Sequence, residues 1–370
     1  MVTLLLWLPF SVCAWVARLY TLEVKPKKKG YVEAFLDKHS ITYNIVNTQT
    51  SDNYVLTFHH LPPSKPSLGT VLFIHGMFES GAMAFTHSTE SLPVILQERG
   101  YDVFLANGRG NMYGLKHTKM SSWDPKFWDF DMKTHAKLDF PAMVTAALSS
   151  STAKQSAIIV YGTSQGSLVA LMGLALNPSL NKKVKLVCAI SPALVLRTPT
   201  NPLVSMVFKM EPSILGSPQY FMFASFTQCF VPDWLANVVA FAALKASGMS
   251  QLTMDKDGAW DVMASTPSGF LPTKSMRMYQ KILKDGPAFF KAKDGECDFG
   301  EIDTNIALWM GKEDVVLDVD ATTALLEGLD KAKIVKKVVL DGWGHTDLWY
   351  SIESKTVLTP DVIKLIETMG

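Results

Sequence analysis

A serine hydroxyl is a weak nucleophile until a base accepts its proton and the backbone holds its oxygen out toward substrate. In Gly162-Thr163-Ser164-Gln165-Gly166 a serine stands between glycines placed two residues before and two after it. The apolar run SAIIVY leads into the pentapeptide and SLVALMGLAL leads out, so a buried strand passes straight into a helix. This is the G-x-S-x-G pattern of a nucleophile elbow, in which the glycines let strand and helix close together and the serine takes a strained conformation. With Gly and Ser each near 7% of residues, chance would supply such a pentapeptide roughly 0.1 times in a chain this long.

The partners of such a serine follow it in the order acid, then histidine. His345 is the sole histidine after Ser164, in DGWGHTDLWY just beyond the last strand-like run. That makes it the candidate base. The acid belongs in the loop after the preceding strand, where WMGKEDVVLDVD offers Glu313, Asp314, Asp318 and Asp320. Asp314, three residues past Gly311, is the choice; Asp318 is the reserve, and Asp320 is expected to cap the next helix. Charge on the attacked carbonyl oxygen needs backbone N–H donors, each worth roughly 3–4 kcal/mol. Gln165 N–H is one, at a helix start where unpaired donors and the positive dipole end coincide. The second comes from HGMFESGAM after the run TVLFI, with Met77 as the donor and His75 as a hydrogen bonder that fixes the loop.

Positioning these loops is the task of the remaining sequence. ITYNIVNTQ and NYVLTFHHL alternate like strands and are joined by Thr-Ser-Asp, which predicts an antiparallel hairpin. Six compact runs, at 70–76, 101–107, 156–162, 184–191, 305–311 and 333–341, read as parallel strands buried on both faces. Helical patterns fall at 88–98, 134–149, 165–176, 319–329 and 360–369. The alternation predicts an α/β fold, a mostly parallel central sheet flanked by helices. It breaks between about 192 and 303, where a Phe- and Met-rich, proline-punctuated stretch is too apolar for an ordinary loop. The expected organisation is a leader or anchor at 1–20, a first core part at 30–191, a helical cap or lid at 192–275, and a second core part at 276–370.

Composition narrows the function classes. The chain is 48% hydrophobic and 19% charged over 370 residues, with a net charge of +1, so nucleic acid is not an expected partner. The N-terminal MVTLLLWLPFSVCAWVARLY suits a signal-peptide core, with small residues at Val12 and Ala14. Arg18 and KPKKK at 25–29 follow that apolar stretch, which is the pattern of a cytosol-facing anchor at the ER or a lipid droplet. Both readings stand: secretory pathway, lysosomal or secreted, or membrane-anchored. The four cysteines form no C-x-x-C pair; Cys188 reads as core, and Cys229 with Cys297 is the candidate pair for a single bridge. No histidine spacing suits a metal, and NGRGNMYG misses the dinucleotide pattern by one residue, so no metal or cofactor is expected. Ser151-Thr152-Ala153-Lys154 matches S-x-x-K but precedes a strand, which makes it a surface turn.

With these residues placed, the chain resembles the acid lipase family of α/β-hydrolases, the group of lysosomal acid lipase, gastric lipase and fungal sterol esterases. The resemblance runs from about Gly30 to the C-terminus. It rests on HGMFES at 75–80, ANGRGNMYGLKH at 106–117, FWDFDMKTHAKLDFPA at 127–142, GTSQG at 162–166, STPSG at 265–269 and the acid and histidine loops. It implies an α/β-hydrolase fold with an inserted helical cap. It also implies Ser164, Asp314 and His345 as catalytic triad, Met77 and Gln165 as oxyanion donors, and a lipid ester, triacylglycerol or cholesteryl ester, as substrate. Arg109 and Asp139 are expected to brace the surroundings. A cap of this kind would touch a membrane or lipid-droplet surface transiently. Two departures stand out: Thr163 replaces the family's usual histidine, and the chain has no N-x-S/T acceptor. The rival readings are an esterase for small soluble esters and an inactive lipid-binding protein on the same fold.

Overall fold

The computed structural model describes residues 30–200, 271–291 and 297–369 apart from Lys154, with scattered positions between 201 and 270. The expected leader at 1–20 and most of the expected cap at 192–275 lie outside the described residues. Among the described residues no helix is long and apolar enough to cross a membrane.

The central sheet is built from β1 (Asn44–Gln49), β2 (Tyr54–Leu61), β3 (Gly69–Ile74), β4 (Tyr101–Asn107), β5 (Lys116–His117), β6 (Ile158–Thr163), β7 (Val184–Ile190), and, after a small β8–β9 pair (Gln219–Tyr220 with Leu271–Pro272), β10 (Asn305–Gly311) and β11 (Lys333–Leu340). Its order is β1-β2-β4-β3-β6-β7-β10-β11, with β5 paired to β2. The β1–β2 hairpin and the β2–β4 pair are antiparallel, and every pair from β4 onward to β11 is parallel. Each run that the apolar pattern marks as a strand is a strand.

Strand residues alternate between two cores, as the pleat requires. Leu72, Phe104, Val160, Ala189 and Leu308 face one side, together with helices α3 (Phe140–Ser150), α4 (Gln165–Leu176), α5 (Thr273–Asp285) and α6 (Val319–Glu327). Phe73, Val103, Ile159, Cys188 and Trp309 face the other, together with α1 (Tyr31–Lys38), α2 (Leu92–Arg99), α7 (Asp347–Tyr350) and α8 (Leu358–Met369). Helix α4 lies deep enough that its residues 165–175 are all buried. A π-helical turn, His135–Asp139, leads into α3.

Three expectations need correction. Strand β11 is not buried on both faces: exposed and half-buried residues alternate along it, because it is an edge strand paired with β10 alone. Its Lys333, Lys336 and Lys337 blunt that edge against pairing with another chain. The helix after the acid loop is capped by Asp318, whose side chain accepts from Ala321 N–H at 2.9 Å, and Asp320 sits exposed in the first turn. Cys297 is a buried free thiol, so it makes no bridge with Cys229, which lies outside the described residues. Cys188 is buried and free, with burial pushing its thiol up, in keeping with a core residue.

Arg109 ties the turn between β1 and β2 to the π-helical turn. Its guanidinium donates to Asp139 Oδ1 at 2.6 and 2.8 Å and to both Asp52 oxygens at 2.6 and 2.9 Å, and lies 3.9 Å from the Tyr54 ring centroid. Burial alone would raise the Asp139 carboxyl, but Arg109 and His135 hold it below its ordinary value. Ser151 and Thr152, the S-x-x-K turn, instead donate to Asp102, which also binds His60 at 2.7 Å.

Arg109→Met keeps volume but leaves Asp139 as an uncompensated buried charge. It should cost about 3–5 kcal/mol at pH 7 by urea denaturation. Since Arg109 lowers the native Asp139 pKa, its contribution is present above the unfolded carboxylate value and fades as pH falls through the native one. The gap between variant and wild type should therefore narrow on acidification.

Candidate active site

Three loops leave the same edge of the sheet, after β6, β10 and β11, and meet there. Ser164 follows β6 directly and precedes α4, with φ +48° and ψ −110°, a conformation non-glycine residues rarely occupy. It is held by hydrogen bonds on both sides: its N–H donates to Ile190 O at 2.8 Å, and its carbonyl accepts from Leu168 N–H at 3.2 Å and Ala193 N–H at 3.3 Å. The flanking glycines are required by contact. A Cβ on Gly162 would lie 2.7 Å from Ser167 N, and one on Gly166 would lie 2.1 Å from Ile74 O. Strained residues recur along this edge, with Phe78 at φ +63° after β3 and Ser191 at φ +41° after β7.

His345 Nε2 lies 2.9 Å from Ser164 Oγ, and His345 Nδ1 lies 2.7 Å from Asp314 Oδ2. Asp314 is fully buried and its other oxygen accepts from Val316 N–H at 2.8 Å and Leu317 N–H at 2.9 Å, which fixes the carboxylate. The acid and histidine loops are locked together: Glu313 N–H donates to Trp343 O at 2.9 Å, and Lys312 N–H to Leu340 O at 3.0 Å. Gly311 is needed there, since a Cβ would fall 2.3 Å from Trp343 O. Trp349 packs edge-on to the His345 ring, centroids 5.5 Å apart. The reserve acid, Asp318, is used as a helix cap.

The two expected oxyanion donors flank this chain of side chains. Gln165 begins α4 immediately after Ser164. Met77 sits in the loop after β3, the strand beside β6, where a Cβ on neighbouring Gly76 would be 3.6 Å from Ser164 Cβ. His75 shapes that loop: Nδ1 donates to Gly76 O at 2.8 Å, while Nε2 accepts from Asn111 Nδ2 at 3.0 Å. Burial holds its imidazole down to about 4, so it stays neutral and serves as a brace. Asn107 extends the brace, accepting from Gly81 N–H and Asn111 Nδ2.

Three further residues lie near the site: Tyr279 has no motif around it, whereas Glu79 lies inside HGMFES and Thr163 stands where the resembled family has histidine. Tyr279, on α5, donates to Gln165 Oε1 at 2.8 Å and so fixes the side chain of the residue after Ser164. Glu79 accepts from Gly76 N–H at 2.8 Å, Trp349 Nε1 at 3.2 Å and Tyr350 OH at 3.3 Å. Thr163 Oγ1 is buried without a hydrogen-bond partner among the described residues, beside a small cavity of about 50 Å³.

A strained serine, a histidine within hydrogen-bond reach of it and a buried carboxylate behind that histidine form the arrangement of an α/β-hydrolase site. The family model for the alpha/beta hydrolase fold matches residues 69–351, and the chain belongs to that family. Within it the chain is a carboxylic ester hydrolase of the lipase/esterase type, and it is similar to proteins named as lipases, an acid lipase-like protein among them. It is 21% identical to human Lipase member K over 406 positions, covering 98% of this chain and 99% of that protein. It is 26% identical over 268 positions to the Tear acid lipase-like protein of Mesocricetus auratus, covering 70% of this chain and 63% of that one. The solved structure of a soluble variant of monoglyceride lipase from Saccharomyces cerevisiae superposes with a TM-score of 0.56 at 15% identity, covering 89% of this chain and 95% of that one. That structural likeness concerns the fold.

Gly166→Ala tests the elbow. The new methyl must displace the β3 backbone or α4, because the atom it meets is a carbonyl oxygen and not a flexible side-chain tip. The variant should lose about 2 kcal/mol or more of stability in chemical denaturation and most esterase activity with it.

Proposed function

We propose that the protein cleaves long-chain lipid esters through an acyl-serine intermediate. The observation that carries this reading is the continuous chain Asp314–His345–Ser164, with contacts of 2.7 and 2.9 Å, ending on a serine in the elbow conformation. Ser164 Oγ attacks the ester carbonyl carbon as His345 Nε2 takes its proton. Asp314 orients the imidazole and stabilises its charged form. The negative charge on the former carbonyl oxygen is received by the N–H groups of Met77 and Gln165. Collapse of this adduct breaks the C–O bond to the alcohol, which leaves with the proton from His345. Water then repeats the sequence on the acyl-serine, releasing the fatty acid and restoring Ser164.

The substrate class is supported by the names of the relatives, which are lipases, and by the Phe- and Met-rich composition of residues 192–275. In this reading that segment shelters the acyl chain and touches a lipid surface during turnover. The apolar N-terminal stretch and the likeness to a protein named tear acid lipase-like support a secretory address.

Ser164→Ala should lower turnover of a p-nitrophenyl ester by at least about 10⁴-fold while circular dichroism stays unchanged. Activity within tenfold of wild type would remove Ser164 from the mechanism. On wild type, the rate should step up once triolein or cholesteryl oleate exceeds its solubility limit. Smooth saturation confined to short-chain monomers would reassign the substrate to small soluble esters.

A further inference from the structure

Glu79 lies in the loop after β3 and is partly buried, yet among the described residues no lysine or arginine pairs with it. Its two oxygens are divided between two loops. Oε2 accepts from the N–H of Gly76, the residue just before the proposed oxyanion donor Met77. Oε1 accepts from the Trp349 indole and the Tyr350 hydroxyl, both on α7, which starts two residues after His345. The contact with Gly76 is tight: a Cβ there would come within 2.6 Å of Glu79 Oε2, and the same point lies 3.6 Å from Ser164 Cβ. Trp349 in turn packs edge-on to the imidazole of His345. One carboxylate thus joins the peptide beside the nucleophile to the ring wall of the base.

We infer that Glu79 is a positioning residue, coupling the oxyanion loop to the histidine loop so that the N–H of Met77 and the ring of His345 are held in register about Ser164. The inference rests on the acyl-serine reading above. Its electrostatics follow from burial. Desolvation pushes the Glu79 carboxyl up to about 7, against the opposing pull of Gly76, Trp349, Tyr350 and the nearby His345. The titratable groups acting on it are His345 and Tyr350, and burial pushes the Tyr350 phenol well up, so that hydroxyl remains a donor. A carboxyl titrating near 7 passes from a neutral to an anionic acceptor across the neutral range, and the anion makes the stronger hydrogen bonds to Gly76, Trp349 and Tyr350. The coupling between the two loops is therefore tighter above about pH 7 than below it.

The test measures kcat and KM for a p-nitrophenyl ester from pH 5 to 9 on the full chain. Active sites are counted by covalent labelling of Ser164 with a fluorophosphonate. Glu79→Gln should lower kcat about tenfold at pH 9 with KM within about twofold, and lower it by less at pH 5, where the wild-type carboxyl is itself neutral. Trp349→Phe keeps a ring against His345 and removes one donor to Glu79. It should lower kcat about threefold at pH 9, and its effect should vanish in the Glu79→Gln background. A merely structural role would lower the labelled fraction and cost the same factor at every pH, which overturns the inference. So does a Glu79→Gln enzyme with kcat at pH 9 within twofold of wild type. Should Glu79→Gln fail to fold, an unchanged kcat in Trp349→Phe overturns it equally. A wild type that the probe does not label at Ser164 defeats the acyl-serine reading and this inference together. A labelled wild type with a loss in Glu79→Gln that is equal at pH 5 and pH 9 defeats this inference alone.

Discussion

The turn at Ser164 governs how the rest of this molecule can be arranged. A non-glycine residue at φ +48° costs about 1–3 kcal/mol and persists only where its surroundings leave no alternative. Here the surroundings are close-packed backbone. Gly162 meets Ser167 and Gly166 meets the carbonyl of Ile74, so β6, α4 and β3 approach at distances no side chain would permit. The elbow is therefore not a loop feature added to a finished sheet. It demands a parallel β3–β6 pair with a helix pressed on it, and that pair is the centre of the fold.

From that constraint the electrostatics follow. A serine at the end of a central strand has neighbours on both sides at the same sheet edge. On one side, the loop after β3 brings Met77 and Gly76 against it. On the other, β7, β10 and β11 follow in order, and the loops after β10 and β11 deliver Asp314 and His345. Burial of Asp314, with two backbone donors on its free oxygen, keeps it an acceptor aimed at the imidazole. His75, though equally close to the oxyanion loop, is prevented by burial and two hydrogen bonds from acting as a rival base.

Much of this was legible beforehand, for reasons that can be stated. Strands buried on both faces must be almost wholly apolar, so β3, β4, β6, β7 and β10 announce themselves. β11 carries the same apolar positions interleaved with lysines, and only its place at the edge explains them. Asp318 and Asp320 are indistinguishable by spacing alone; which one caps the helix depends on where the loop lets α6 begin. The contacts of Glu79, inside HGMFES, and of Tyr279 were not legible because their partners lie far along the chain or on an element with no motif.

What the sequence alone determined was the local chemistry: the glycine spacing that permits an elbow, the single downstream histidine, and the apolar periodicities that specify a parallel sheet. Each depends on residues near one another in the chain, where sterics and hydrophobic pattern act directly. The tertiary structure alone decided which carboxylate faces the imidazole, that His75 is a brace, and that Glu79 bridges two loops. Those outcomes depend on burial and on the order of strands across the sheet, and neither quantity exists until distant segments have packed.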